Sequence, residues 1–590
     1  MPPVVWRTAD LLIHSHCRLS KDISFVVTTS ESCTVLPCLS SLVTALDPGS
    51  IGSLSEVALF LCQVFGRKSV CDRPAQAQPE TLRCFPFMMP LLEEKVLPKD
   101  GSLTVPILVV GNGPSGICLS YLLSGYRPYL SPGASHPNPI LQRKLEENCH
   151  LSIVDQDLER LCEGLEGRSS NPVAVLFDSL LLPDGDCGLD HAAPLWWQLE
   201  TWQSLSHLVL GTGPPGGAWH AMEGSLLTLS FGNWMELPGL KLKDWVREKR
   251  RNLRNDRVIS AEVAAYYQHF VNKMGLEKNF VSNSCVTSLR RISWVADCEG
   301  GNEVTVNQES GEKERSEGAS RCLWEVKGYQ TGQDGEQAPF LICAENVVLA
   351  TGTQDEPSHL GVEGEDLPYV CHSISEFEAA IVRGRVSESS EPVLIVGAGL
   401  TAADAVLCAH HCSVPVLHVF RRSVSDPGLI FNQLPKVLYP EYHKVHQMMS
   451  QQVVGGEAAS YRGYTSFPRH QVTSFKPDKK CLLESADKSR TVVNISMALV
   501  LIGANPRLSF LRDNGTYLGL NPKQPISCRY NPLQVNPYTY ELVQEPNLFA
   551  MGPLVGDNFV RFVKGGALGI TSCLVKRRQE QRQRQQPPAK

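Results

Sequence analysis

Residues 105–123 read VPILVVGNGPSGICLSYLL. Ile107 to Val110 form a short apolar run of the kind that becomes a buried strand, and the residues after Pro114 have the composition of a helix. Between them stand Gly111, Gly113 and Gly116 in GxGxxG spacing. Strand, glycine turn and helix together make the dinucleotide fingerprint. Gly111 permits the tight turn, Gly113 lets the backbone approach a pyrophosphate, and Gly116 lets the helix pack on the strand. The helix start then offers free amides and the positive end of its dipole to phosphate.

Residues 391–409, EPVLIVGAGLTAADAVLCA, repeat the pattern with Gly397, Gly399 and Ala402 in the third position. The next apolar stretch, Val416 to Phe420, ends in Arg421 and Arg422 rather than an acid. Guanidinium groups at that position suit a 2′-phosphate, where a carboxylate would suit NAD. The second site is therefore expected to take NADPH and the first FAD, with a hydride passed between them. The first motif lacks its ribose acid. If the strand after it is Arg127–Leu130, the acid position falls on Ser131 or Pro132, and Asp155 is the alternative after a long insertion.

Three further segments extend the plan. Gly216, Gly217 and Trp219 lie in GPPGGAWH, which brings flexible backbone and an aromatic ring toward a flavin. NVVLATG ends at Gly352, and ALVLIG repeats that strand-and-turn pattern at 498–503. Near the C-terminus Gly556, Asp557 and Asn558 precede a glycine-rich apolar helix, and an aspartate there is placed to accept from flavin ribityl hydroxyls.

The expected fold is α/β, with two Rossmann-like domains of the flavin monooxygenase or disulfide reductase type. Residues 1–100 read as a weakly structured extension. Residues 101–390 and 501–575 read as the two parts of an FAD domain, 391–500 as the NADPH domain, and 576–590 as a frayed basic tail. Within the first part, 296–321 is rich in Glu, Gly, Ser and Asn and reads as an exposed insertion.

Composition excludes several classes. Fifty-five basic against 61 acidic side chains give a net charge of −6 and no nucleic-acid footprint. Twenty cysteines are spread over 590 residues without a Cys-x-x-Cys pair, which fits buried thiols in a reducing compartment. No partner cysteine follows Cys118 at disulfide-reductase spacing, so a dithiol mechanism is not expected. No apolar run reaches the length of a membrane span, and the nearest candidate, Val57 to Phe65, is too short. The expectation is a soluble intracellular protein, cytoplasmic, with nuclear entry through the basic tail as an alternative. Its partners are a small-molecule substrate and dioxygen, with protein partners unassigned. The run Lys249, Arg250, Arg251 and Arg254 reads as a solvated helix face. Glu441, His443 and His446 read as a packed corner rather than a metal site, and no metal is expected.

The order of these motifs resembles the flavin-containing and Baeyer–Villiger-type monooxygenases. More closely, residues 111–130, 164–178, 439–449 and 552–568 are similar to the oxidative stress-induced growth inhibitor family. The resemblance runs from about residue 105 to 573 and leaves residues 1–88 outside it. It implies NADPH-dependent monooxygenase activity and roles in growth restraint, cell death, differentiation and meiosis or germ-cell maturation. It also marks a departure. The monooxygenases carry an FxGxxxH linker, whereas GEDLPYVCHS keeps only Gly364 and His372 and has no Phe before the glycine. Either the loop is rebuilt or the coupling of NADPH to oxygenation is altered. His372 is the one catalytic candidate.

Overall fold

The computed structural model describes residues 95–98, 102–185, 191–222, 227–247, 257–294, 305–306, 321–451 and 463–585. All of them belong to one compact unit, Phe85–Lys590. The run Lys249, Arg250, Arg251 and Arg254 lies outside the described residues, as does most of 1–100. Of that N-terminal stretch, Leu97 is buried and its amide donates to Gln330 Oε1 at 3.0 Å.

Before the second motif the strands are β1 (Ser102–Val110), β2 (Tyr126–Leu130), β3 (Leu195–Leu199), β4 (Leu208–Leu210), β5 (Phe280–Val281), β6 (Ser284–Trp294), β7 (Thr305–Val306), β8 (Arg321–Thr331) and β9 (Gln337–Leu349). β1 is central, with parallel β4 on one side and parallel β9 on the other. That position explains why Ile107–Val110 are buried without alternation: helices or loops cover both faces of a parallel sheet. β5 extends the sheet beyond β4. β8, β6 and β7 add an antiparallel meander beyond β9. The expected insertion at 296–321 falls largely outside the described residues, although Thr305 and Val306 pair with β6.

The strand beside β1 corrects one expectation. Arg127–Leu130 lies in β2, which pairs antiparallel with β3 in a separate ribbon. That ribbon and the helices Pro139–Glu147, Leu158–Cys162 and Pro172–Leu181 form an insertion. The true neighbour of β1 is β4, far along the chain.

After β9 come β10 (Glu356–Pro357), β11 (Val370–Cys371), β12 (Val393–Val396), β13 (Val416–Phe420) and β14 (Tyr464–Pro468). Then follow β15 (His470–Phe475), β16 (Lys480–Ser485), β17 (Arg490–Asn494), β18 (Met497–Val500), β19 (Ala504–Asn505) and β20 (Leu548–Ala550). The second sheet is wholly parallel in the order β11, β18, β12, β13, β14. Its edge strand β11 starts before residue 391. β15 to β17 form a three-stranded antiparallel sheet against its far face. Two short strands, β10 and β19, pair where the chain leaves the first sheet and where it returns. β20 then rejoins β9 in parallel.

The helix Val560–Gln585 closes the fold over the helices Pro114–Leu123 and Pro172–Leu181. A Cβ on Gly565 would stand 2.3 Å from the Ala174 Cα, so only glycine permits that crossing. Here the expectation of a frayed tail from Lys576 is corrected: the helix runs on to Gln585. Lys576 donates to the Gln156 carbonyl, Arg577 pairs with Glu541, and Arg578 donates to the Ser204 carbonyl. Long basic side chains find acceptors on distant loops that local composition does not reveal. Among the described residues no helix is long and apolar enough to cross a membrane.

Candidate functional site

The first glycine turn is built as its spacing requires. Gly111 has φ +115°, and a Cβ there would stand 2.3 Å from the Ala350 oxygen. Its amide donates to the Leu210 carbonyl at 2.8 Å, so the turn is seated between β4 and β9. A Cβ on Gly116 would lie 2.0 Å from the Gly111 oxygen, which is the close helix-to-strand approach. Gly113 caps the helix and is different: nothing lies within 4 Å of a Cβ built on it. The space before the helix start is open, as a phosphate cradle must be.

Thr351 and Gly552 complete this cradle. Thr351 follows β9, and its buried Oγ1 has no hydrogen-bond partner within the protein. A buried hydroxyl left unpaired is costly, and a ligand or water at the turn would satisfy it. Gly352 comes next, with φ +75° and open space around its Cβ position. Gly552, two residues beyond β20, approaches the helix start, where a Cβ on it would lie 2.5 Å from Ser115 Oγ. Its signal in the sequence is the glycine that follows LFAM, one residue further beyond β20 than Gly111 lies beyond β1.

The segment Gly216–Trp219 is brought onto this turn. The Gly216 amide donates to the Asn112 carbonyl at 2.9 Å, and Asn112 Nδ2 donates to the Gly213 carbonyl at 2.7 Å. A Cβ on Gly217 would stand 2.9 Å from the Gly113 Cα. Trp219 packs partly buried against the core. The strand that should deliver the ribose acid is β4, and it ends Leu210, Gly211, Thr212 with no acid. A side chain on Gly211 would overlap the Asn112 amide, 2.0 Å away. Asp155, the alternative, lies in the insertion within electrostatic reach of Arg127, Glu200 and Lys576, and burial raises its pKa.

Gly556, with φ +93°, ends the short turn Gly552–Val555. Asp557 points inward and is 1% exposed. It accepts from Ser169 Oγ at 2.6 Å and from Tyr540 OH at 3.2 Å. Burial pushes its carboxyl up to about 6, against the lowering effect of Ser169, Asn171 and Tyr540. Each of its two oxygens thus accepts a hydrogen bond from within the protein. Asn558 is exposed and donates to the Cys528 carbonyl.

The second turn repeats the first. Gly397 has φ +131°, and a Cβ there would lie 2.2 Å from the Leu501 oxygen. Gly399 caps the helix Leu400–His411 and opens onto empty space, while Ala402 is fully buried. A fully buried histidine, His418 on β13, fixes this turn. Its Nε2 lies 2.6 Å from the Gly397 carbonyl and its Nδ1 2.8 Å from Tyr464 OH. A carbonyl only accepts, so Nε2 carries the proton and Nδ1 accepts from the tyrosine. Burial lowers its pKa to about 4 and keeps the ring neutral. At the end of β13, Arg421 and Arg422 are both exposed, and Arg422 pairs with Asp426 at 3.2 Å.

His372 follows β11 and meets Glu365, Nε2 to Oε1 at 3.2 Å. His359 stands beside them with its Nδ1 3.4 Å from the same oxygen. Burial opposes ionisation of Glu365, but the Leu360 amide, His372 and the Gly361 amide outweigh it and lower its pKa. By contrast His443 and His446 donate to the Leu434 and Val424 carbonyls, and Glu441 pairs with Arg257. Cys118 is buried in the first helix, and burial pushes its thiol up to about 12.

Two open glycine cradles, each after a parallel-paired strand of its own sheet and joined by a paired crossover, define a class: an oxidoreductase with two dinucleotide sites. The pyridine nucleotide-disulphide oxidoreductase family accordingly matches residues 246–556. Within that class the chain belongs to the oxidative stress-induced growth inhibitor family. It is 58% identical over 492 residues to human oxidative stress-induced growth inhibitor 2, covering 83% of this chain and 97% of the relative. It is 51% identical over 478 residues to mouse oxidative stress-induced growth inhibitor 1, covering 81% and 96%. Among solved structures, the bacillithiol disulfide reductase Bdr of Bacillus cereus is similar at 14% identity and a TM-score of 0.47, covering 80% of this chain and 99% of that one.

Proposed function

We propose that this chain is an NADPH-dependent flavoprotein of the monooxygenase type, acting on a small molecule and dioxygen in the restraint of growth under oxidative stress. The observation that carries the reading is the pair of open helix-capping glycines, Gly113 and Gly399, each set above a strained glycine that fixes the turn. The orphaned Thr351 hydroxyl adds a polar group that FAD at the first cradle would satisfy. Gly111, Gly113, Thr351, Gly352 and Gly552 would hold its pyrophosphate, while Gly216 and Gly217 cover the turn. FAD supplies two-electron exchange with nicotinamide and reactivity toward dioxygen.

The protein's own groups do the rest by position. Gly397 and Gly399 admit the NADPH pyrophosphate, and His418 holds the Gly397 carbonyl so that the turn keeps its shape. Arg421 and Arg422 supply cationic donors at the end of β13 for the 2′-phosphate. The dithiol chemistry in the family's name needs a thiolate at the flavin. Cys118, buried and with its thiol held protonated, is unsuited to it. The role in growth restraint follows the names of the relatives.

A second reading, a regulatory flavoprotein that turns over little, is favoured by the missing acid after β4. Without a ribose carboxylate the FAD ribose would lack its usual charged acceptor. The test is NADPH oxidation by FAD-reconstituted protein with oxygen and peroxide followed together. Oxygen consumed with substrate and little peroxide supports the monooxygenase. Peroxide matching NADPH identifies an uncoupled oxidase, and no NADPH oxidation favours the regulatory protein.

A further inference from the structure

We propose that His359, Glu365 and His372 form a binding site for one divalent transition-metal ion of the zinc class. The inference rests on neither dinucleotide assignment. His359 and Glu365 lie on the crossover that leads from the first sheet to the second, His372 lies just past the second sheet's edge strand, and their ligand atoms fall within 4.8 Å of one another.

Glu365 Oε1 already accepts the Leu360 amide at 2.8 Å, while Oε2 accepts the Gly361 amide at 2.7 Å. Oε1 also faces His372 Nε2 at 3.2 Å and His359 Nδ1 at 3.4 Å. With the Leu360 amide on one lone pair of Oε1, a single lone pair of that oxygen remains to face two imidazole nitrogens. A cation placed between the three groups removes the conflict. It takes one oxygen lone pair and the lone pairs of two neutral imidazoles.

Zinc bonds of about 2.0–2.1 Å to nitrogen and oxygen at tetrahedral angles put ligand atoms about 3.4 Å apart. Both nitrogen-to-oxygen separations here agree with that figure. The rings are close as well, with centroids 4.6 Å apart. The two amides fix the carboxylate, and His359 is largely exposed, so its ring is free to complete the set. Two imidazoles and a carboxylate leave a fourth position for water or a ligand.

The location suggests what the ion would do. His359 lies two residues beyond β10, which pairs with β19 on the returning crossover, and His372 follows β11 at the edge of the second sheet. The ion would staple the crossover ribbon to the second sheet.

The test uses the full chain, stripped with a chelator, and titrated with Co²⁺ followed by its visible absorption. One Co²⁺ per chain with the intense bands of tetrahedral coordination is expected, displaced by one Zn²⁺. His359→Ala removes an exposed ligand at little risk to folding, and His372→Asn provides a second variant. Each should weaken binding by more than the roughly 10–100-fold that follows loss of a ligand's hydrogen-bond partner. Zn²⁺ should also raise the Tm of the wild type and not of His359→Ala. Absence of stoichiometric binding, or binding unchanged in both variants, would overturn the proposal.

Discussion

Replacing Gly399 with Val separates cofactor binding from folding. Gly399 has φ −91° and ψ −179°, extended backbone that any residue adopts, and a Cβ there meets nothing within 4 Å. The cost to folding is limited to the weaker helix-capping preference of valine, about 1 kcal/mol or less. The side chain would nevertheless stand where a pyrophosphate must meet the helix start. Each charge-assisted bond lost there is worth about 1.5–3 kcal/mol, or roughly 10–100-fold in affinity. The companion variant, Gly397→Ala, forces a residue with φ +131° to carry a Cβ 2.2 Å from the Leu501 oxygen. That backbone strain alone costs on the order of 1–3 kcal/mol, so this variant should lose stability. Urea unfolding and the KM for NADPH, measured side by side, read the two effects. Gly399→Val with wild-type stability and an unchanged KM would refute the reasoning.

Other consequences follow from the same contacts. His418 is neutral in the folded chain, with its pKa lowered to about 4 from 6.5. Its contribution is complete above about pH 6.5 and lost as pH falls through 4, for a total of roughly 3 kcal/mol. His418→Phe should flatten that acid-side loss in a pH series of denaturation curves, while raising the KM for NADPH. Asp557 has the opposite sign: its pKa is raised from 3.8 to about 6, so its share of stability is present below pH 3.8 and lost as pH rises through 6. Asp557→Asn should remove that loss. Asp404, shifted in the same direction, stays in both proteins and cancels in the difference. Asp178 forms a buried two-pronged pair with Arg561, and Asp178→Asn should cost about 3–5 kcal/mol of stability by leaving the guanidinium uncompensated. Arg421→Glu should shift the ratio of kcat/KM for NADPH over NADH by tenfold or more toward NADH, by analogy with about 1.5–3 kcal/mol for a charged hydrogen bond.

Both glycine turns were legible because every requirement is local: an apolar strand, a glycine at the turn, an open capping glycine, and a small residue one helical turn on. The partner of β1 was not. β4 is separated from the first helix by the insertion that carries β2 and β3, and adjacency in a sheet is not a property of any one segment. Thr351 and Gly552 were hidden for the same reason, since only the meeting of β9 and β20 beside β1 gives them a place. Asp557 shows the reverse: a residue of suitable type near a suitable helix turns inward to Ser169 and Tyr540. The Arg- and Gln-rich terminus looked unstructured because its anchors, Glu541 and the Ser204 carbonyl, lie on remote loops. His372 was visible in its linker, but His359 and Glu365 gain meaning only once the crossover folds back on itself.

The most direct measurement is anaerobic. Full-length protein is reconstituted with FAD, freed of unbound flavin, and titrated with NADPH or NADH while flavin absorbance is recorded. Retained flavin absorbance that bleaches with one NADPH per flavin and responds far less to NADH is the expected result. Protein that retains no flavin, or flavin that stays oxidised under NADPH, would contradict it.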